Sequence, residues 1–130
     1  MSSIALIIRY NRKILIGKKR SDSEKYLAGC WHFPGGRIEL DESLIECICR
    51  ESREELNLEV KSHQYLGSSL TPTSRKELLW FECYANTDKI NAGDDLEDAK
   101  WVGEKRALDY LDEKSKNSIP KSVFHYLKNL

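Results

Sequence analysis

The chain has 130 residues, 40% of them hydrophobic and 32% charged, with 21 lysines and arginines set against 21 aspartates and glutamates. That length buries a core without metal or disulfide staples, and the composition excludes a disordered or fibrous chain. Zero formal charge argues against bulk binding to a nucleic-acid polymer or an anionic membrane, but the balance is uneven: residues 1–25 carry seven bases and two acids, residues 39–55 seven acids and two bases.

Ser3 to Arg9 and Ile14 to Lys19 are apolar, β-branched runs joined by Tyr10-Asn11-Arg12-Lys13, which predicts a hairpin. The run from Ile4 to Ile8 is far too short to span a membrane and no signal-peptide pattern precedes it, so a cytoplasmic protein is expected. Ser21 to Gly29 reads as a polar loop. Cys30 to Phe33 reads as a short aromatic strand stopped by Pro34-Gly35-Gly36. Ser43 to Leu56 is the strongest helix: Ser43 and Glu46 form a capping box, and Ile45, Ile48, Cys49, Ser52 and Leu56 predict one buried stripe. Val60 to Leu70 and Glu77 to Ala85 follow as strands across the turn-rich Thr71-Pro72-Thr73-Ser74. Lys100 to Val102 predicts a short strand, and Glu104 to Leu111 and Pro120 to Leu130 predict helices. This order implies one α/β domain over residues 1–130, a sandwich with a mixed sheet. The four cysteines form no CxxC pair and the three histidines are scattered, so reduced thiols rather than disulfides or a zinc site are expected.

The polar face of the Ser43 helix carries the chemistry. Glu51, Glu54 and Glu55 stand at i, i+3 and i+4, so their carboxylates converge, at a cost of about 0.2–0.5 kcal/mol per like-charged pair. A divalent cation with oxygen ligands would offset that repulsion; a solvated acidic face is the alternative reading of three glutamates alone. Two neighbours favour the cation. The glycines of Pro34-Gly35-Gly36 allow backbone to approach a metal or phosphate closely, and Arg50 can hold one glutamate by a charge-assisted hydrogen bond.

Gly36, Glu42, Arg50-Glu51, Glu54-Glu55 and Leu58 stand at the spacing of a known signature, and the chain resembles the Nudix hydrolases. The entry Trp31-His32-Phe33-Pro34-Gly35-Gly36 and the basic strand end Lys18-Lys19-Arg20 are similar to that family too. Two positions depart from it. Ser52 replaces an aliphatic residue on the buried stripe, and Asn57 replaces the glycine that ends the helix, where asparagine also tolerates the left-handed conformation. The resemblance implies a Nudix-type α/β/α sandwich and hydrolysis of a nucleoside diphosphate linked to another group. It implies Mg²⁺ or Mn²⁺ held by Glu51, Glu54, Glu55 and the Gly35 carbonyl, with Glu39 and Glu42 accessory and Arg50 orienting Glu51. Asp95, just before the strand at Lys100, stands where relatives bring an additional acid. Lys18, Lys19, Arg20 and Arg37 are candidates for the phosphates. Phe33, with Trp31, Trp80, Phe81 and Tyr84, offers stacking surface. Asn117 stands where MutT-like members read a purine edge.

The compact length and the Trp31-to-Gly36 entry favour a nucleoside triphosphate cleaved to monophosphate and pyrophosphate. ADP-ribose hydrolysis stays open because Pro72 matches a proline of that branch. Nucleotide-sugar hydrolysis fits less well, because that branch typically has an eroded glutamate pair and a histidine base in a C-terminal loop, whereas this sequence keeps the pair and has no histidine between His63 and His125. A non-catalytic nucleotide-sensing module is the alternative of another class. The expected partner is a small nucleotide, with no polymer and no membrane, bound by a monomer or homodimer.

Overall fold

The computed structural model describes residues 2–130. Strands β1 (Ser3–Tyr10) and β2 (Lys13–Lys19) are joined by a tight turn in which Asn11 and Arg12 both adopt positive φ, 49° and 63°. Such a turn matches the twist of the flanking strands, and Arg9 pairs with Ile14. β3 (Trp31–His32) and β4 (Gly35–Arg37) precede helix α1 (Leu44–Leu56). β5 (Val60–Leu70), β6 (Glu77–Ala85) and β7 (Leu96–Gly103) complete the strands. Two single helical turns, α2 (Ala107–Tyr110) and α3 (Glu113–Lys116), lead to α4 (Lys121–Lys128).

The sheet runs β3-β2-β1-β6-β5, with β4 on β1 and β7 on β2. β1 and β6 are parallel, Ser3 facing Leu78 through to Arg9 facing Tyr84, and the remaining pairs are antiparallel. Ile4 to Ile8 are all buried, as a central strand covered on both faces requires. Alternation divides them. Ile4, Leu6 and Ile8 pack with Cys47, Ile48 and Leu56 of α1. Ala5 and Ile7 pack with Trp80, Val123 and Leu127 on the α4 side. The result is the expected α/β/α sandwich on a mixed sheet. Among the described residues no helix is long and apolar enough to cross a membrane.

Several elements differ from the sequence reading. Pro34-Gly35-Gly36 is not simply a stop: Gly35–Arg37 turns back to pair with β1, Ile4 facing Gly36. The buried face of α1 is Cys47, Ile48, Glu51, Ser52, Glu55 and Leu56, whereas Ile45 is 62% exposed. Periodicity places Ile45 on the stripe, but Leu44 and Glu46 beside it are exposed as well, so no other element covers this first turn. Ser52 keeps its place because its hydroxyl donates to the Ile48 carbonyl at 2.8 Å. β7 is longer than expected because Leu96 to Gly103 pairs along the whole of β2. The helix expected over 104–111 shrinks to one turn, and α3 is additional.

Candidate active site

Helix α1 is fixed at both ends. The Ser43 hydroxyl accepts from the Glu46 N–H at 3.1 Å while the Glu46 carboxylate accepts from the Ser43 N–H at 2.9 Å. Asn57 is left-handed (φ 54°), and its N–H returns to the Arg53 carbonyl. Four residues of separation put Glu51 and Glu55 on one face, turned toward β4 and buried, with Glu54 on the exposed edge.

The two glycines of β4 are needed for different reasons. A Cβ on Gly35 would lie 2.0 Å from the Ile4 carbonyl oxygen, so this residue permits the approach to β1. A Cβ on Gly36 would lie 2.2 Å from the carboxylate carbon of Glu51, so this one makes room for the acid. The Gly35 N–H donates to Glu55 Oε1 at 3.2 Å.

Arg50 is the hub of the cluster. Its Nε and Nη2 grip both oxygens of Glu42 at 2.6 and 3.0 Å, and Nη1 reaches Glu51 Oε1 at 2.8 Å and Glu54 Oε2 at 3.4 Å. Glu39, largely exposed, stands 3.5 Å from Nη1, and Nη2 also donates to the Arg37 carbonyl at 2.9 Å. These contacts hold the Glu42 carboxyl down at about 2 and push the Arg50 guanidinium up. Burial raises Glu51. Burial first, then the neighbouring Glu51 charge, pushes Glu55 up to about 8. One guanidinium thus faces four carboxylates, with Glu55 a fifth behind them.

Among the described residues no three His, Cys, Asp or Glu side chains already stand as a metal-holding cluster. Arg50 instead takes Glu51 and Glu54 singly. The donor set nonetheless has the right chemistry: it is all hard oxygen, carries excess negative charge and borders a glycine backbone, which suits Mg²⁺ or Mn²⁺ rather than zinc.

Beside this cleft lies a cavity of about 430 Å³, within the range of small-molecule sites. Phe33 and Trp80 form its apolar wall, edge to face at 5.9 Å between centroids. His32 also lines it; burial, and next the Lys19 charge, lower its imidazole to about 4, so it is neutral at pH 7. Tyr26, Pro72, Ser115 and Ser118 complete other sides. Cavity and cleft meet along Lys25, Gly35, Gly36, Arg37 and Asp95, which line both. Asp95 sits just before β7 with Lys25 Nζ at 2.6 Å and Lys19 Nζ at 3.8 Å, and the Lys25 hydrogen bond is the main cause of its lowered pKa.

The structure therefore gathers Gly35, Arg37, Glu39, Arg50, Glu51, Glu54 and Asp95 around one cleft, with Glu55 bonded to its Gly35 rim and Phe33 in the adjoining cavity. It does not bring in Lys18, which pairs with Glu97 at 3.4 Å, or Arg20, which pairs with Asp22 at 3.0 Å. Neighbouring strand residues face opposite ways, so only Lys19 of that basic run turns to the cavity. Asn117 is exposed and donates to the Tyr26 hydroxyl at 3.4 Å, one residue removed from the lining. Trp31 carries Lys100 on its ring, Phe81 lies in the α1-side core and Tyr84 packs against Arg9. Lys25 and Tyr26 were missed: they belong to a loop with no periodic pattern, and no local signal could place them.

A NUDIX domain profile matches residues 2–122, and the chain belongs to the Nudix family. Over 100 residues it is 33% identical to the NAD-capped RNA hydrolase NudC of Pseudomonas putida, covering 76% of this chain and 35% of that protein. The chain thus spans about a third of the length of the curated relatives it matches. The crystal structure of a MutT protein from Methanosarcina mazei superimposes with a TM-score of 0.74 at 20% identity, covering 99% and 91% of the two chains. An ADP-ribose pyrophosphatase from Streptococcus suis gives 0.63 at 18% identity, covering 79% and 73%.

Proposed function

We propose that the protein is a metal-dependent hydrolase that cleaves a nucleoside diphosphate joined to a second group, with a nucleoside triphosphate cleaved to monophosphate and pyrophosphate as the first reading. The observation that carries it is the junction of a nucleoside-sized cavity with a cleft of carboxylates in the complete charged signature.

Glu51, Glu54, Glu55 and the Gly35 carbonyl would hold Mg²⁺ or Mn²⁺, which when bound neutralises the diphosphate and acidifies a water. Arg50 aims Glu51 and partly offsets the burial that raises its carboxyl, and Glu42 and Glu39 keep Arg50 in place. Asp95, whose carboxyl pKa is lowered by Lys25 and Lys19 in the free protein, is the candidate to take the proton of the attacking water. Lys19 and Arg37 face the phosphates, and Phe33 with Trp80 excludes water from the base. In this reading residues 1–130 act as one domain in the cytoplasm, as a monomer or homodimer.

A second reading is an ADP-linked pyrophosphate, either ADP-ribose or the NAD cap of an RNA. Pro72 in the cavity wall and the likeness to the Pseudomonas hydrolase favour it. An RNA would then be read at its capped end rather than along its backbone, consistent with zero net charge.

The test is product analysis with Mg²⁺ on triphosphates, ADP-ribose, NAD and NAD-capped RNA, using wild type and Glu54→Gln. Pyrophosphate from triphosphates supports the first reading; AMP with ribose phosphate, or nicotinamide mononucleotide, supports the second. Glu54→Gln should fold normally and lose at least ~100-fold in rate, the scale of a removed metal-activating carboxylate. Nucleotide binding without turnover would instead favour the sensing module.

A further inference from the structure

A substrate with its nucleoside in the cavity and its diphosphate against the carboxylates must cross the five residues shared by the two spaces, a placement that rests on the function proposed above. Asp95 sets a negative charge on that path, and Lys25 answers it at 2.6 Å. The two residues come from distant segments.

Lys25 belongs to the loop of residues 20–30, whose backbone is anchored independently of this ion pair. The Arg20 N–H donates to the Asp95 carbonyl at 2.8 Å. The Tyr26 ring carries the Lys114 ammonium 4.4 Å from its centroid, and its hydroxyl accepts from Asn117. The Lys25 side chain itself is 64% exposed. The loop is therefore held while the ammonium can turn between neighbours. A lysine ammonium is a compact charge with rotatable donors, and it exchanges one anion for another without the fixed geometry an arginine demands. A diphosphate arriving at the junction brings more charge and more acceptor oxygens than the single carboxylate.

We propose that Lys25 determines specificity by exchanging partners: it neutralises Asp95 in the free protein and transfers to the substrate diphosphate in the complex. Asp95 and the diphosphate then compete for one ammonium. A ligand without a diphosphate cannot replace the lost ion pair, so the exchange selects for the diphosphate before any bond is broken.

The competition has a signature that a merely structural ion pair lacks, because its two partners respond in opposite directions. The probe is α,β-methylene-ADP, whose central bond cannot be hydrolysed, titrated calorimetrically in Mg²⁺. Lys25→Ala should weaken binding at least ~10-fold and Lys25→Arg should restore it to within ~3-fold, the scale of one charge-assisted contact. Asp95→Asn should tighten binding by ~3-fold or more, and most of that gain should vanish in the Lys25→Ala background, as coupled sites require. The proposal is overturned by an unchanged affinity in Lys25→Ala, by weaker binding in Asp95→Asn, by a gain that persists undiminished in the double variant, or by no binding to wild type. Turnover plays no part in this readout. A wild type that shows the pattern but hydrolyses nothing refutes the hydrolase and keeps the exchange; hydrolysis without the pattern does the reverse.

Discussion

Glutamine at position 55 removes a buried ionisable group while keeping a carbonyl oxygen that can still accept from the Gly35 N–H, now 3.2 Å from Glu55 Oε1. Glu55 is 2% exposed, and its carboxyl is pushed up to about 8 from an ordinary 4.5. Because the folded value is the higher one, the folded protein holds a proton that the unfolded chain releases. The penalty is absent below about pH 4.5, grows as pH rises through the interval and is complete above about pH 8. At pH 7, about 2.5 pH units above the unfolded value, it amounts to about 3 kcal/mol. Glu55→Gln should therefore raise the metal-free Tm by roughly 10 °C at pH 7 for a domain of this size, and leave it nearly unchanged at pH 4. The same change should abolish activity and the rise in Tm that Mg²⁺ gives the wild type by linkage. Differential scanning calorimetry in EDTA and in Mg²⁺, from pH 4 to pH 8.5, measures both effects. A Tm that falls in the variant at pH 8, or a difference independent of pH, refutes burial as the origin of the raised value. A Mg²⁺ response that survives the substitution refutes Glu55 as a ligand.

Two further substitutions probe the frame of the site. Gly36→Ala places a Cβ against the Glu51 carboxylate, the flexible end of a side chain; the fold should survive while Glu51 leaves Arg50, with kcat/KM falling at least ~10-fold for the charge-assisted bond lost. An unchanged kcat/KM means that Glu51 works from another position. Ser43→Ala removes the cap accepted from the Glu46 N–H and should cost about 1 kcal/mol, seen as a Tm lower by a few degrees with kcat unchanged at 25 °C. A loss of kcat without a loss of Tm would show that the cap acts on the site itself.

The amino-acid sequence alone determined the features that depend on local periodicity. The spacing of Glu51, Glu54 and Glu55 puts them together on any helix, and Ser43 with Glu46 and Asn57 marks where that helix starts and stops. Apolar Ile4 to Ile8 makes a central strand wherever the chain carries it. Tertiary structure decided what each element meets. Ile45 satisfies the helical stripe yet faces solvent because no other element covers the first turn of α1, and Pro34-Gly35-Gly36, locally a breaker, becomes a strand because β1 offers an edge. The cavity draws Tyr26, Phe33, Pro72, Trp80 and Ser115 from separate segments, and Lys25 reaches Asp95 across 70 residues. Lys18, Lys19 and Arg20 look alike in sequence, and only the pairing of β2 with β7 turns Lys19 inward and leaves the other two to surface acids. Local patterns follow from the geometry of one helix or strand. A contact between distant residues exists only once the packing of every intervening element has closed the loop between them.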